Sequence, residues 1–157
     1  MEKNVAVKAG DRIQAGVSSE GTDAGVRQND QRAVIDKACM ETLDRFMAAL
    51  NAHDAQGMDA TMHFPHVRFA GGQLRVYDAA GSNPMDLFET LKTQDNWRYS
   101  RWEERRLIQF NDKKAHYALS YTRFRADDSV IDVYESLYVL TLIDGAWGIQ
   151  ARSSFGP

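Results

Sequence analysis

The sequence predicts an α+β domain in which helices cover the concave face of a twisted antiparallel sheet. Residues 115–155 indicate three long strands, because runs rich in Tyr, Val, Leu and Ile are separated by turn signals at 127–129 and at Asp144-Gly145. Upstream, apolar residues recur at steps of three and four between Ile35 and Leu50, which places them on one face of a helix. Helices followed by a run of strands are typical of this fold class.

The composition is that of one globular domain and argues against several classes of protein. A chain of 157 residues can bury a core of its own. Its net charge of −3 argues against nucleic-acid binding, which needs a concentrated basic surface. No apolar run approaches the ~20 residues of a membrane span, and the N-terminus lacks the pattern of a signal peptide. We therefore expect a cytoplasmic protein that binds neither nucleic acid nor membranes.

The N-terminal residues 1–31 differ from the rest of the chain, since they are mainly small and polar with only scattered apolar residues. Such a segment buries too little to offset the entropy of ordering it, so we expect a flexible leader followed by one folded domain at 32–157. The alternative is an arm that docks on a neighbouring subunit. The first helix is predicted from Asp30 to Asn51, and a second from Asp54 to Met62 with Asp54 as its cap.

The remaining elements follow from turn signals. Gly71-Gly72 predicts a hairpin between short strands at 66–70 and 73–77. A third helix is predicted from Pro84 to Thr93, because proline is well tolerated at an early helical position. The strands predicted after it are 97–110, 115–125, 130–143 and a last strand that contains Trp147.

This order of elements resembles the nuclear transport factor 2-like superfamily, which includes ketosteroid isomerases, scytalone dehydratase and polyketide cyclases. The local resemblance is clearest in RFMAALNAHDAQGMDATMHF (45–64) and in IDGAWGIQARSSF (143–155). It covers residues 32–157 and implies a cone in which three N-terminal helices pack in the concave face of a strongly curved, cystatin-like sheet. Because function on one fold varies among unrelated tasks, the resemblance implies the fold and not the activity.

Ketosteroid isomerase activity fails a residue-by-residue comparison. The family's tyrosine donor corresponds here to Phe46, its aspartate base falls near Phe69 or Ala70, and its second acid corresponds to Leu137. Without a base and oxyanion donors, enolisation has no chemical agent. We therefore exclude that activity.

Two histidines, His63 and His66, lie in the segment that corresponds to the loop at the rim of the cone's opening in this superfamily. A histidine there could act as an acid or base near neutral pH. Alternatively, both rings hydrogen-bond the backbone around Pro65 and fix the turn. A metal site needs three or four convergent ligands, so two histidines predict no metal. The sequence also lacks phosphate-binding glycine motifs, and we expect no cofactor.

The last strand carries the residue of greatest interest, Arg152. The resemblance implies that Gln150, Arg152 and Ser154 point into the cone. An arginine in an apolar cavity needs an anionic partner, which would be Glu135 or a bound carboxylate. The alternative is that Arg152 points outward to solvent.

A small-molecule pocket for an organic ligand with an anionic or carbonyl group is the favoured hypothesis. It would be a lyase, isomerase or cyclase with His66 as acid or base and Arg152 as anion clamp. The other predicted substrate-binding residues are His63, Arg68, Trp102, Gln150 and Ser154. The alternative is a non-catalytic ligand-binding or association module. We also expect a homodimer through the sheet, because large apolar residues on its outer face would be exposed in a monomer.

Overall fold

The structure, a computed structural model, describes residues 20–82 and 87–157. The elements are α1 (Glu20–Asn51), α2 (Ala55–Asp59), β1 (Met62–Ala70), β2 (Gln73–Tyr77), α3 (Leu87–Asp95), β3 (Tyr99–Phe110), β4 (Lys114–Phe124), β5 (Val130–Ile143) and β6 (Ala146–Ser154). The strands form one sheet in the order β2-β1-β6-β5-β4-β3. The predicted α+β class is confirmed. Within the described ranges, no helix is long and apolar enough to cross a membrane.

The first helix begins earlier than predicted. α1 starts at Glu20 rather than at Asp30, so part of the predicted leader is helical. The side chains of 23–31 are exposed, and Arg27 forms an i,i+4 ion pair with Asp23 at 3.0 Å. Apolar periodicity cannot predict a helix over residues 23–31, because this part of α1 has no buried face. The remainder of the predicted leader, residues 1–19, lies outside the described residues, as do the first residues predicted for the third helix, 84–86.

The elements that follow α1, namely α2 and β1, also differ from the sequence prediction in their bounds. Asp54 is the predicted N-cap of α2, and its carboxylate accepts a 2.9 Å hydrogen bond from the Gly57 amide. The helix nevertheless ends at Asp59, because Met62 already belongs to β1. β1 is longer than predicted and pairs in parallel with β6, so that the sheet is mixed rather than wholly antiparallel. Sequence spacing contains no signal for this pairing.

The tight turns lie where they were predicted. Asp144 and Gly145 have φ values of 50° and 78°, which is the left-handed backbone of a two-residue hairpin turn. Gly71 and Gly72 join β1 to β2 with φ values of 57° and 70°. These turns fix the register of both hairpins.

The core lies between α1 and the inner face of the sheet. Leu43, Cys39 and Phe46 of α1 are buried against Tyr117 and Leu140 of β4 and β5. Burial raises the pKa of the Cys39 thiol to about 12, so this cysteine is an inert core residue.

Large apolar residues were expected on the outer face of the sheet. The aromatic residues Tyr121 and Tyr138 lie on the inner face, where they are buried. The outer face exposes aliphatic side chains, among them Val133 and Leu137 of β5. Leu137 lies between the buried Ser136 and Tyr138, as the alternation of a strand requires.

Candidate functional site: an arginine-lined cavity

A cavity of about 320 Å³ lies between the helices and the inner face of the sheet. Its volume is at the lower end of the range for small-molecule sites. Part of its lining is aromatic, contributed by Phe46, Trp102, Tyr121 and Tyr138. Another part is basic, contributed by Arg68, Arg75, Arg123 and Arg152. The cavity can therefore contact both an apolar body and an anionic group.

Three of these arginines form a row across adjacent strands. Arg75 of β2 is the register partner of Arg68 in β1, and Arg68 is the partner of Arg152 in β6. Neighbouring strands are ~4.8 Å apart, so the three side chains start close together. Like charges directly opposite each other destabilise a sheet. We call these three residues the arginine row.

No aspartate or glutamate of the described residues forms an ion pair with the arginine row. Arg68 donates to the main-chain oxygen of Pro157 at 2.7 Å, and Arg75 donates to the neutral side-chain amide of Gln73 at 2.9 Å. Burial and the positive charge of Arg152 lower the pKa of Arg68, although an arginine stays protonated in proteins. The row therefore places positive charge at the cavity that no acidic side chain of the described residues offsets.

His66 holds the inner end of the row in place. Its ring is fully buried, at 0% exposure, and Nδ1 lies 2.8 Å from the carbonyl oxygen of Ile149. A carbonyl only accepts, so Nδ1 carries the proton and Nε2 is free to accept from Arg152 Nε at 2.9 Å. Burial, followed by the charge of Arg152, lowers the pKa of His66 to about 3. His66 is therefore a neutral acceptor that orients Arg152.

This arrangement corrects two expectations. His66 was expected to act as acid or base, but both ring nitrogens are engaged and the residue does not line the cavity. Glu135 was a candidate partner for Arg152, but it is exposed and alternates with the buried Ser136 and Tyr138 along β5. The carboxylate therefore lies on the other face of the sheet from Arg152.

Arg152 also contacts aromatic rings. Its guanidinium lies 5.2 Å from the ring centre of Phe46 and 6.0 Å from that of Tyr138. Cation–π contact of this kind stabilises a guanidinium without neutralising it. The expectation that Arg152 points into the interior therefore agrees with its position.

The fourth arginine of the lining is neutralised. Arg123 is 6% exposed and pairs with Asp95 of α3 at 3.3 Å. Its guanidinium also lies 5.0 Å from the ring centre of Tyr134. Asp95 is the one acidic side chain among the described lining residues, and this ion pair occupies it.

Three other predicted residues line the cavity: Arg68, Trp102 and Ser154. The indole nitrogen of Trp102 donates to the Leu43 carbonyl at 3.2 Å, which fixes the ring against α1. The Ser154 hydroxyl oxygen accepts from the Gly156 amide at 3.0 Å and from the Ser136 hydroxyl at 2.9 Å. These bonds hold both side chains in fixed positions at the wall.

Gln150 was expected in the cavity but lies outside its lining. Ala151 pairs with Val139 whereas Ile149 pairs with Leu140, so Gln150 is the extra residue of a β-bulge. The bulge reverses the alternation predicted for this strand. Ile149 becomes fully buried, and the amide of Gln150 instead donates to the Pro65 carbonyl.

His63 also lies away from the cavity. Its Nδ1 is 2.8 Å from the Thr141 hydroxyl, and its ring packs on Gly148, where an added Cβ would lie 2.6 Å away. Burial lowers the pKa of His63, partly offset by the charge of Asp144. Within 20–82 and 87–157, no group of three or more His, Cys, Asp and Glu side chains could hold a metal ion.

Sequence reasoning missed several residues of the lining. Arg123 shares a strand face with Tyr117, Leu119 and Tyr121, and that alternation was the available signal. No sequence pattern indicated that Arg75 lines the cavity, because its position depends on the pairing of β2 with β1. Phe46 was predicted on the buried face of the first helix but not as part of a cavity lining.

No protein-family model matches the chain, and no curated protein matches it. Solved structures do. A cystatin-like protein of unknown function from Nostoc punctiforme superposes with a TM-score of 0.66 and 16% identity, covering 78% of this chain and 91% of that one. A nuclear transport factor 2-like protein from Novosphingobium aromaticivorans superposes with a TM-score of 0.64 and 12% identity, and the match covers 90% of this chain and 91% of that chain.

A third similar structure, from Catenulispora acidiphila in complex with S-DNPA, has a TM-score of 0.64 and 15% identity. It covers 78% of this chain and 93% of that chain. At these identities the likeness concerns the fold. The chain has the nuclear transport factor 2-like fold, which is also described as cystatin-like.

Proposed function

We propose that this protein binds a small organic anion in the cavity, with the arginine row contacting the acidic group. The observation that carries the proposal is the row itself, since Arg75, Arg68 and Arg152 line a partly apolar cavity without an aspartate or glutamate partner among the described residues. Removing a charge from water is costly unless it is paired. A bound anion would supply the missing partner and offset that cost.

The site favours binding over proton transfer. A general base must lie within about 3 Å of the proton that it takes. The described lining residues include no histidine, and their single acidic side chain, Asp95, is paired with Arg123. Burial raises the pKa of Tyr138, so this tyrosine stays protonated and serves as a donor. A ligand-binding protein therefore fits the site better than a lyase, isomerase or cyclase.

The fold itself is compatible with this use. The similar Catenulispora acidiphila protein was solved in complex with S-DNPA. That observation belongs to the other protein, and at 15% identity it identifies no ligand for this one. It is compatible with a ligand-binding use of this fold.

Calorimetry with small carboxylates tests the proposal. We expect benzoate to bind wild-type protein and binding to weaken about tenfold or more in Arg152→Met, because a hydrogen bond to a charged group contributes about 1.5–3 kcal/mol. Arg27→Met removes an exposed arginine of α1 and serves as the matched control. Unchanged binding in Arg152→Met, or no binding of any carboxylate to the wild type, would contradict the proposal.

Association through the outer face of the sheet is a second candidate. Val133 and Leu137 are 52% and 53% exposed there, and Ile108 of β3 is 38% exposed. Apolar side chains grouped on a sheet face often mark a protein–protein contact. We propose that this face forms a homodimer, which is compatible with ligand binding on the opposite face.

A further inference from the structure

The residues that follow β6 reach from that strand towards β1 at the cavity. β6 ends at Ser154, and the Phe155 amide still donates to the Glu135 carbonyl of β5 at 3.0 Å. The Phe155 side chain is 87% exposed, whereas Gly156 is buried and Pro157 belongs to the cavity lining. Residues 156 and 157 therefore leave the strand and become part of the wall. We call these two residues the arm.

Glycine at position 156 lets the arm lie directly on the cavity wall. A Cβ at this position would lie 2.6 Å from the Tyr121 hydroxyl oxygen and 3.1 Å from Cγ of Tyr134. A side-chain carbon cannot approach so closely unless something shifts. The Gly156 amide also donates to the Ser154 hydroxyl oxygen at 3.0 Å. The position of the arm thus depends on a close backbone approach that an added methyl group would prevent.

Pro157 occupies a donor of the arginine row. Its main-chain oxygen accepts a hydrogen bond from Arg68 Nη2 at 2.7 Å. A carboxylate ligand commonly binds a guanidinium through two parallel N–H···O bonds, so an oxygen already at Nη2 takes the place of one ligand oxygen. Pro157 itself is exposed, and proline has no N–H to donate. A ligand oxygen can therefore replace the bond that attaches this end of the arm to the row.

We infer that the arm is a displaceable internal competitor, in which the Pro157 oxygen holds Arg68 until the acidic group of a ligand replaces it. This inference rests on the proposed function and adds what sets the affinity of the site. The competition is the same whether the Pro157 oxygen belongs to an amide or to a carboxylate, since both accept from Arg68. An arm that occupies Arg68 about nine-tenths of the time weakens ligand binding about tenfold, because only the remaining molecules offer the full site.

Calorimetry with benzoate at low ionic strength tests the competition in the wild type, in Gly156→Ala and in a chain shortened by residues 156 and 157. We expect both changes to tighten benzoate binding about tenfold, since neither leaves the Pro157 oxygen at Arg68. Gly25→Ala is the matched control, because nothing lies within 4 Å of an added Cβ at this exposed position of α1. Its benzoate affinity should equal that of the wild type. A thermal melt of each variant checks that it folds.

Amide hydrogen exchange in the wild type tests the displacement without any substitution. A ligand that only stabilises the folded state slows exchange or leaves it unchanged. Saturating benzoate should instead speed exchange at the Gly156 amide, because the bond from this amide to Ser154 is lost when the arm leaves the wall. An arm with a merely structural role would not show this increase.

Two results would overturn the inference and leave the proposed function intact. One is benzoate binding to the shortened chain no more tightly than to the wild type. The other is exchange at the Gly156 amide that benzoate slows or leaves unchanged. If no carboxylate bound either the wild type or the shortened chain, the proposed function itself would fail.

Discussion

Arg152 and His66 are joined by a 2.9 Å hydrogen bond in which the arginine Nε donates to the Nε2 of a fully buried, neutral imidazole. The second ring nitrogen of His66 donates to Ile149 on the strand that carries Arg152. The histidine is thereby fixed to the same strand as the arginine that it orients. This pair, rather than an ion pair or a catalytic dyad, determines the position of the cation in the cavity.

The first prediction concerns pH. The pKa of His66 is lowered from 6.5 to about 3, so between these values the unfolded chain binds a proton that the folded chain does not. The contribution of His66 to stability is thus fully present above pH 6.5 and is lost as the pH falls towards 3. Between pH 6.5 and 4.5 we expect this residue to account for a loss of about 2–3 kcal/mol in the free energy of unfolding.

Urea unfolding at both pH values, in wild type and His66→Gln, measures that contribution. Glutamine offers Arg152 an acceptor but does not titrate, so the variant should lose less stability on acidification than the wild type. The carboxyl groups titrate equally in both proteins, so their effects cancel when the two changes in unfolding free energy are subtracted. An identical pH dependence would show that folding does not lower the pKa of His66.

The second prediction concerns the ion pair at the cavity wall. Asp95→Asn leaves the buried Arg123 without a charged partner. We expect a loss of about 2–3 kcal/mol in unfolding free energy, below the value for a fully buried pair because Asp95 is partly exposed. Anion affinity should rise, because a negative charge has been removed from the lining. Calorimetry with benzoate measures this, with Asp112→Asn in an exposed turn as control; weaker benzoate binding would contradict it.

The third prediction concerns the core. Phe46 is 2% exposed and packs on Trp102 and Tyr138. Phe46→Ala should lower the free energy of unfolding by about 3–5 kcal/mol, through lost burial and the cavity that remains. Val34→Ala, at an exposed site of the same helix, should change it by less than about 0.5 kcal/mol. Equal effects in urea unfolding would show that this face of α1 contributes nothing to the core.

The fourth prediction concerns the outer face of the sheet. We expect sedimentation at micromolar concentration to show a dimer, and Leu137→Lys to shift it towards monomer by placing a charge in the contact. Val34→Lys introduces the same charge on an exposed site of α1 and should leave the dimer intact. A wild-type monomer at that concentration would remove the proposal of association and leave the ligand site untouched.

The sequence by itself determined the elements whose signals are local. The recurrence of Cys39, Leu43 and Phe46 identified the buried face of α1, and all three are buried. Asp144-Gly145 identified the last hairpin, because a two-residue turn needs the left-handed backbone that these residues adopt. Helix periodicity and turn chemistry depend on residues a few positions apart, so they can be read from the chain directly.

Only the tertiary structure decided the site. The parallel pairing of β1 with β6 brings Arg68 beside Arg152, although the two residues are far apart in the chain. The bulge at Gln150 reverses the alternation before it, so that Ile149 and not Gln150 faces the core, while Arg152 donates to His66. Strand pairing and bulges are set by packing between distant segments. A sequence can therefore indicate that an arginine on this strand needs a partner, but the partner is a neutral histidine that only the folded sheet supplies.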